Sequence, residues 1–109
     1  MTNYSTLQEA NIARDREWNT GSEKLSLSFR GNEMAGEVGE ACNIIKKLER
    51  ERLGIRGSRA TLDDLADELA DVVITAHLTA MDAGIDLDAA VKRKFNATSE
   101  KYGLETRIA

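Results

Sequence analysis

Four acidic residues stand out by their spacing: Glu37 with Glu40, and Glu68 with Asp71, each pair three positions apart. On a helix that spacing puts both acids of a pair on one face. At about 100° per residue, Glu37 and Glu40 lie roughly 60° and 120° to one side of an apolar stripe through Val38, Ala41 and Ile45. Glu68 and Asp71 hold about the same offsets from a stripe through Leu65, Val72 and Ala76. If the two helices pack by those stripes, four carboxylates converge at the margin of the core. Charges placed that way repel and raise one another's pKa, a cost that bound cations remove. An all-oxygen donor set suits Mg²⁺, with Mn²⁺ as a substitute. The competing reading is a solvated acidic face matched by Lys46, Lys47 and Arg50.

The neighbouring residues sort by the same reasoning. Glu33 shares the flank of Glu37 and Glu40, and either extends the site or faces water. Asp63, Asp64 and Asp67 fall in the first turns of the second acidic helix, where acids favour the helix dipole, and are assigned to capping and solubility. A di-iron centre needs Glu-x-x-His on two helices. His77 is the only histidine and does not stand three residues after any Glu, so that centre is excluded. His77 is assigned to packing or surface, and Cys42, beside the first stripe, to the core. Gly36 and Gly39 each cost about 1 kcal/mol in a helix interior relative to Ala. They permit close approach by another helix or by a ligand.

The elements that must position these acids can be read from caps and breakers. Ser5 with Gln8 forms a capping-box pattern, opening a helix from about Thr6 to Trp18, and Gly21-Ser22 breaks it. A long helix spans about Leu25 to Arg52, although Leu25, Leu27 and Phe29 also alternate as a short strand would. Leu53 to Ser58, with two glycines, reads as the long loop. Thr61 with Asp64 caps a third helix from Leu62 to Ala83, stopped by Gly84. Asp86 caps a fourth from Leu87 to Tyr102, stopped by Gly103. The fold class is all-α, a bundle of about four helices. Met34, Val38, Ala41, Ile45 and Leu48 stripe the second helix; Leu62, Leu65, Leu69, Val72, Ala76 and Ala80 stripe the third. Beyond Asp71 the third helix is apolar almost all round, through Val73, Ile74, Leu78 and Met81. A bundle this small cannot bury it on every side, so the core is expected to be completed by homo-oligomerisation.

Composition narrows the remaining classes. A chain of 109 residues suits one domain, 1–109, and 41% hydrophobic content is enough for a core. No apolar run reaches the roughly 20 residues of a spanning helix, so no membrane role is expected. No secretory signal is recognisable at Met1-Thr2-Asn3-Tyr4-Ser5, and a single cysteine points to a reducing, cytoplasmic compartment. A net charge of −4 argues against binding a nucleic-acid polymer.

The run Gly36-Glu37-Val38-Gly39-Glu40-Ala41, followed by Glu68-Leu69-Ala70-Asp71-Val72-Val73, resembles the MazG-like nucleoside triphosphate pyrophosphohydrolases, whose signature is E-x-x-E, a spacer, then E-x-x-D. The resemblance continues through Gly84-Ile85-Asp86-Leu87 and from Lys94-Phe95-Asn96 to Lys101-Tyr102-Gly103, covering most of the chain from about Trp18. It implies an all-α homodimer or dimer of dimers that cleaves a nucleoside triphosphate between the α and β phosphates with Mg²⁺, giving monophosphate and pyrophosphate. It implies Glu37, Glu40, Glu68 and Asp71 as metal ligands and catalytic residues. Substrate contacts are implied for Lys94, Asn96 and Lys101 on a basic fourth helix that also carries Lys92 and Arg93, with Thr98 an alternative to Asn96. Trp18 resembles an aromatic near the base pocket, and as readily reads as a core anchor. One departure is Gly36, where some members carry a further Glu that orients water; the general base is left open. Two rivals are a phosphoribosyl-nucleotide pyrophosphohydrolase of related architecture and a non-catalytic helical interaction module.

Overall fold

A computed structural model describes all 109 residues and contains four helices and no strand: α1 (Leu7–Trp18), α2 (Leu27–Arg52), α3 (Leu62–Asp82) and α4 (Leu87–Lys101). Each helix begins where a short polar side chain can take up an orphan backbone N–H. Thr6, not Ser5, caps α1 by accepting from the Glu9 amide at 3.1 Å, and Ser5 instead donates to the Glu9 carboxylate. Ser26 caps α2, so the helix starts two residues later than Leu25 and the alternating Leu25–Phe29 segment forms no strand. Thr61 and Asp64 form a reciprocal capping box on α3, as the spacing predicts. Asp86 caps α4 through the Ala89 amide. Gly84 and Gly103, with φ of 69° and 65°, take the left-handed conformation that ends α3 and α4.

α2 and α3 form a long antiparallel pair, α1 packs on α3, and no helix packs along α4. The α2–α3 loop is held by Arg50, whose guanidinium donates to the Ser58 carbonyl at 2.9 Å and hydroxyl at 3.2 Å. Gly57 makes that possible: its φ is 140°, and a Cβ there would meet the Arg50 side chain at 2.9 Å. α4 meets α3 through His77 Nε2, 3.7 Å from the Asp88 carboxylate. The C-terminal segment folds back on α4. The Asn96 amide donates to the Ile108 carbonyl at 2.9 Å and accepts from its N–H at 2.7 Å, and Arg107 pairs with Glu100.

The result is a thin layer. Its extents are 47 × 46 × 30 Å and its radius of gyration is 17.5 Å, against about 13 Å for a compact chain of this length. The accessible surface is 8236 Å², where a folded monomer of 12.0 kDa exposes about 6,000 Å². Only Ala41, Ala60 and Ala80 among the apolar residues are buried. Val38, Ile45, Leu62 and Leu69, expected in the core stripes, are exposed, and so is Cys42. The reason is α4: a fourth helix laid over α2 and α3 would cover them, and it stands aside. No helix is long and apolar enough to cross a membrane.

Candidate acidic metal site

α2 and α3 run antiparallel, so residues near the middle of α2 face the first half of α3. This register brings Glu37, Glu40 and Glu68 together, with one carboxylate oxygen of each within 4.8 Å of the others. Glu37 Oε2 and Glu68 Oε2 are buried and accept no hydrogen bond. A buried carboxylate oxygen without a donor costs free energy that folding alone does not recover. Burial pushes the Glu37 carboxyl above the ordinary glutamate value, and the charges of Glu40 and Asp71 push it further. Burial likewise raises Glu68, together with the close Glu40 carboxylate and the charges of Asp71 and Asp67. No cation from Lys46, Lys47 or Arg50 pairs with any of the three, so the picture of an ordinary salt-bridged face fails here.

Asp71 is the exception among the four expected ligands. It stands outside the three-carboxylate group, exposed as Glu40 also is, and close enough for its charge to be felt at Glu37 and Glu68. Gly36 and Gly39 have no neighbour within 4 Å of a built Cβ, so neither seats another helix of this chain. They leave the α2 backbone uncovered at those two positions. A hard divalent cation fits the group that is present, because all donors are carboxylate oxygens and two lack any other partner.

The expected substrate residues on α4 are not brought to this group within one chain. Lys94 lies along an apolar strip with Leu87, Ala90, Val91 and Phe95 of its own helix. Lys101 Nζ sits 5.4 Å from the Tyr102 ring centroid. Asn96 spends both ends of its amide on Ile108. Trp18 is 76% exposed, which rules out a core anchor in the single chain. It borders a cleft of about 220 Å³ with Phe29, Asn11 and Glu33.

Sequence reasoning missed a second charged cluster. Arg30 is 3% exposed, and its guanidinium donates to Asp82 at 2.7 Å, Asp15 at 2.7 Å and Glu33 at 3.4 Å. Burial alone pushes the Arg30 pKa down, but the bonds and charges of Asp82 and Asp15 raise it above its ordinary value. Burial raises Asp15, and hydrogen bonds from Arg30 and Asn19 more than reverse this, holding its carboxyl below the usual range. The knot ties α1, α2 and α3 at one point. Its signal was available: Arg30 stands one turn before Met34 and two before Val38, on the apolar stripe of α2. A charge on an apolar stripe must find buried partners.

Comparison with known proteins gives no match for this chain: no family model, no curated protein and no solved structure is similar to it.

Proposed function

We propose that this chain is a Mg²⁺-dependent nucleoside triphosphate pyrophosphohydrolase of the MazG-like kind, working as a homo-oligomer. The observation that carries the reading is the convergence of Glu37, Glu40 and Glu68 with two buried carboxylate oxygens that no protein group satisfies. Those glutamates stand in the E-x-x-E and E-x-x-D runs on which the resemblance rests. Glu37, Glu40 and Glu68 would hold the cation, and Asp71 would add its negative charge from beside the group. What the cation supplies when bound is charge neutralisation along the phosphate chain and acidification of the attacking water. With the cation in place the local charge inverts, so an acidic surface can accept a triphosphate. The three carboxylates would fix where the cation sits; in the reaction water adds to one of the two phosphorus atoms joined by the α–β bridging oxygen, that P–O bond breaks, and monophosphate and pyrophosphate leave.

The surplus of about 2,200 Å² of surface over a compact monomer supports the oligomer, since obligate homodimers bury interfaces of that order. A second copy would cover Val38, Ile45, Leu69 and Val73 on the α2–α3 layer, or Val91 and Phe95 on α4. Lys92, Arg93 and Lys94 on α4 complement the acidic layer in charge.

The test is release of pyrophosphate from ribo- and deoxyribonucleoside triphosphates, with Mg²⁺ and with chelator, alongside sedimentation. Metal-dependent monophosphate and pyrophosphate from an oligomer is the expected result. Inorganic phosphate as the product would place cleavage at the β–γ bond and sink the reading, and a well-folded monomer at micromolar concentration would remove the oligomer.

A further inference from the structure

Only two hydrogen bonds join α2 to α3, and both belong to Arg30. Its Nε donates to the Asp82 carboxylate at 2.7 Å, and its backbone carbonyl accepts from the Thr79 hydroxyl at 3.5 Å. Further along the same pair the polar contact is repulsive, since Glu37 and Glu40 of α2 meet Glu68 of α3. Apolar packing does not set the register of these helices by itself. Their fully enclosed apolar side chains are the methyls of Ala41 and Ala80, while Met34, Leu48, Leu65 and Val72 stay partly open. Apolar contact is non-directional, so such an interface tolerates a slide that directed bonds do not. Buried Thr75 does not cross the interface, because its hydroxyl donates to the Asp71 and Val72 carbonyls of its own helix.

Arg30 supplies the directed contacts. Besides Asp82 on α3, its guanidinium donates to Asp15 on α1 at 2.7 Å and to Glu33 on α2 at 3.4 Å. α1 is itself bonded to α3, since Asn11 Nδ2 donates to the Ile74 carbonyl at 3.3 Å. The planar fork is therefore gripped from α1 and α3 at once, and a slide of α3 along α2 breaks a grip. A buried polar group that must meet its partners is a well-attested way to specify one register among several. A helix is a stiff rod, so a register fixed at Arg30 carries to Glu40, about 15 Å further along α2.

We infer that Arg30 is the positioning residue of the acidic group: it fixes where α3 lies along α2, and so brings Glu68 onto Glu37 and Glu40 as one cation-sized set. The cation as ligand rests on the reading proposed above; the register does not.

The experiment removes the knot without stranding a charge. The triple variant Asp15→Asn, Arg30→Met, Asp82→Asn should fold, because neutralising a buried charge cluster together is far milder than removing one member. Two readouts are taken on separate samples. Spin labels at Lys46→Cys on α2 and Ala83→Cys at the end of α3, both exposed positions, report the register in chelator. They are placed in a Cys42→Ser background and diluted among unlabelled chains. Mn²⁺, titrated without nucleotide and followed by its free-ion resonance, reports the acidic group. In the triple variant the label separation should shift, by about 5 Å for a slip of one helical turn. Mn²⁺ affinity should fall at least about tenfold. A merely structural knot would change the denaturation midpoint and leave both readouts at their native values. An unchanged separation overturns the inference, and so does a shifted separation with native Mn²⁺ affinity. If the triple variant does not fold, Arg30→Lys takes its place. A single ammonium cannot hold Asp82 and Asp15 in one planar fork, and native values of both readouts in that variant would overturn the inference. Native protein that binds no Mn²⁺ would remove the proposed hydrolase, and the label separation alone then decides whether Arg30 sets the register.

Discussion

The protein holds two clusters of charged side chains a short way apart on the same pair of helices, and they are opposites. Around Arg30, one cation meets three carboxylates at hydrogen-bond distance, with each of its three nitrogens donating to one of them. Around Glu37, three carboxylates meet no cation, and two of their oxygens are buried without any partner. Both cost desolvation free energy. Only the first recovers it inside the chain. The difference separates a cluster that satisfies its own charges from one whose buried oxygens the chain leaves without a partner.

The largest effect should fall on activity. Glu37→Gln or Glu68→Gln should lower Mg²⁺-dependent turnover by at least about a hundredfold, since even outer-shell losses at metal sites reach that size. The same variants should leave the metal-free protein as stable as before or more so, because each removes a repelling charge. Steady-state rates with a parallel denaturation curve check both halves; a variant that unfolds would show that the cluster is a structural element after all. Arg30→Met should lower stability. It leaves Asp15 and Asp82 without their cation and should cost about 3 kcal/mol, read from the denaturant midpoint at fixed protein concentration.

pH separates the two clusters without mutation. Glu37 and Glu68 have pKa values raised above 4.5, so the folded state holds their protons more tightly than the unfolded chain. Their penalty is present at neutral pH and is relieved as pH falls through the raised values toward 4.5. Asp15 is lowered from 3.8, so its contribution is present above 3.8 and is lost as pH falls through the lowered value. The metal-free melting temperature should therefore rise on mild acidification and fall again below about 3.8. Mg²⁺ should raise it at neutral pH and flatten the first limb; a curve unchanged by Mg²⁺ would contradict the metal site. The smallest effect is a control: Thr61→Ala removes the α3 cap at a cost of about 1 kcal/mol and should alter neither pH limb.

Much of this arrangement was legible from residue order. Caps such as Thr61 and Asp86 fix helix starts locally, and their geometry depends on three or four consecutive residues. The convergence of Glu37, Glu40 and Glu68 followed from two stripes and one antiparallel register. Asp71 fell outside because shared helical offset does not guarantee that two side chains meet. The placement of α4 was not legible, since an amphipathic helix is equally satisfied by its own chain or by another. For the same reason Val38, Ile45 and Cys42 were read as core and lie exposed in the single chain. The Arg30 knot joins residues 15 and 52 positions apart, a separation that periodicity does not register.

The uncovered apolar surface has a consequence for dosage. Where a second copy supplies the cover, folding free energy includes an association term that grows with protomer concentration. Dilution then acts as a denaturant does, and the folded share rises with the amount of protein made. A cell expressing few copies would then hold a smaller folded share, and induction would raise that share as well as the total.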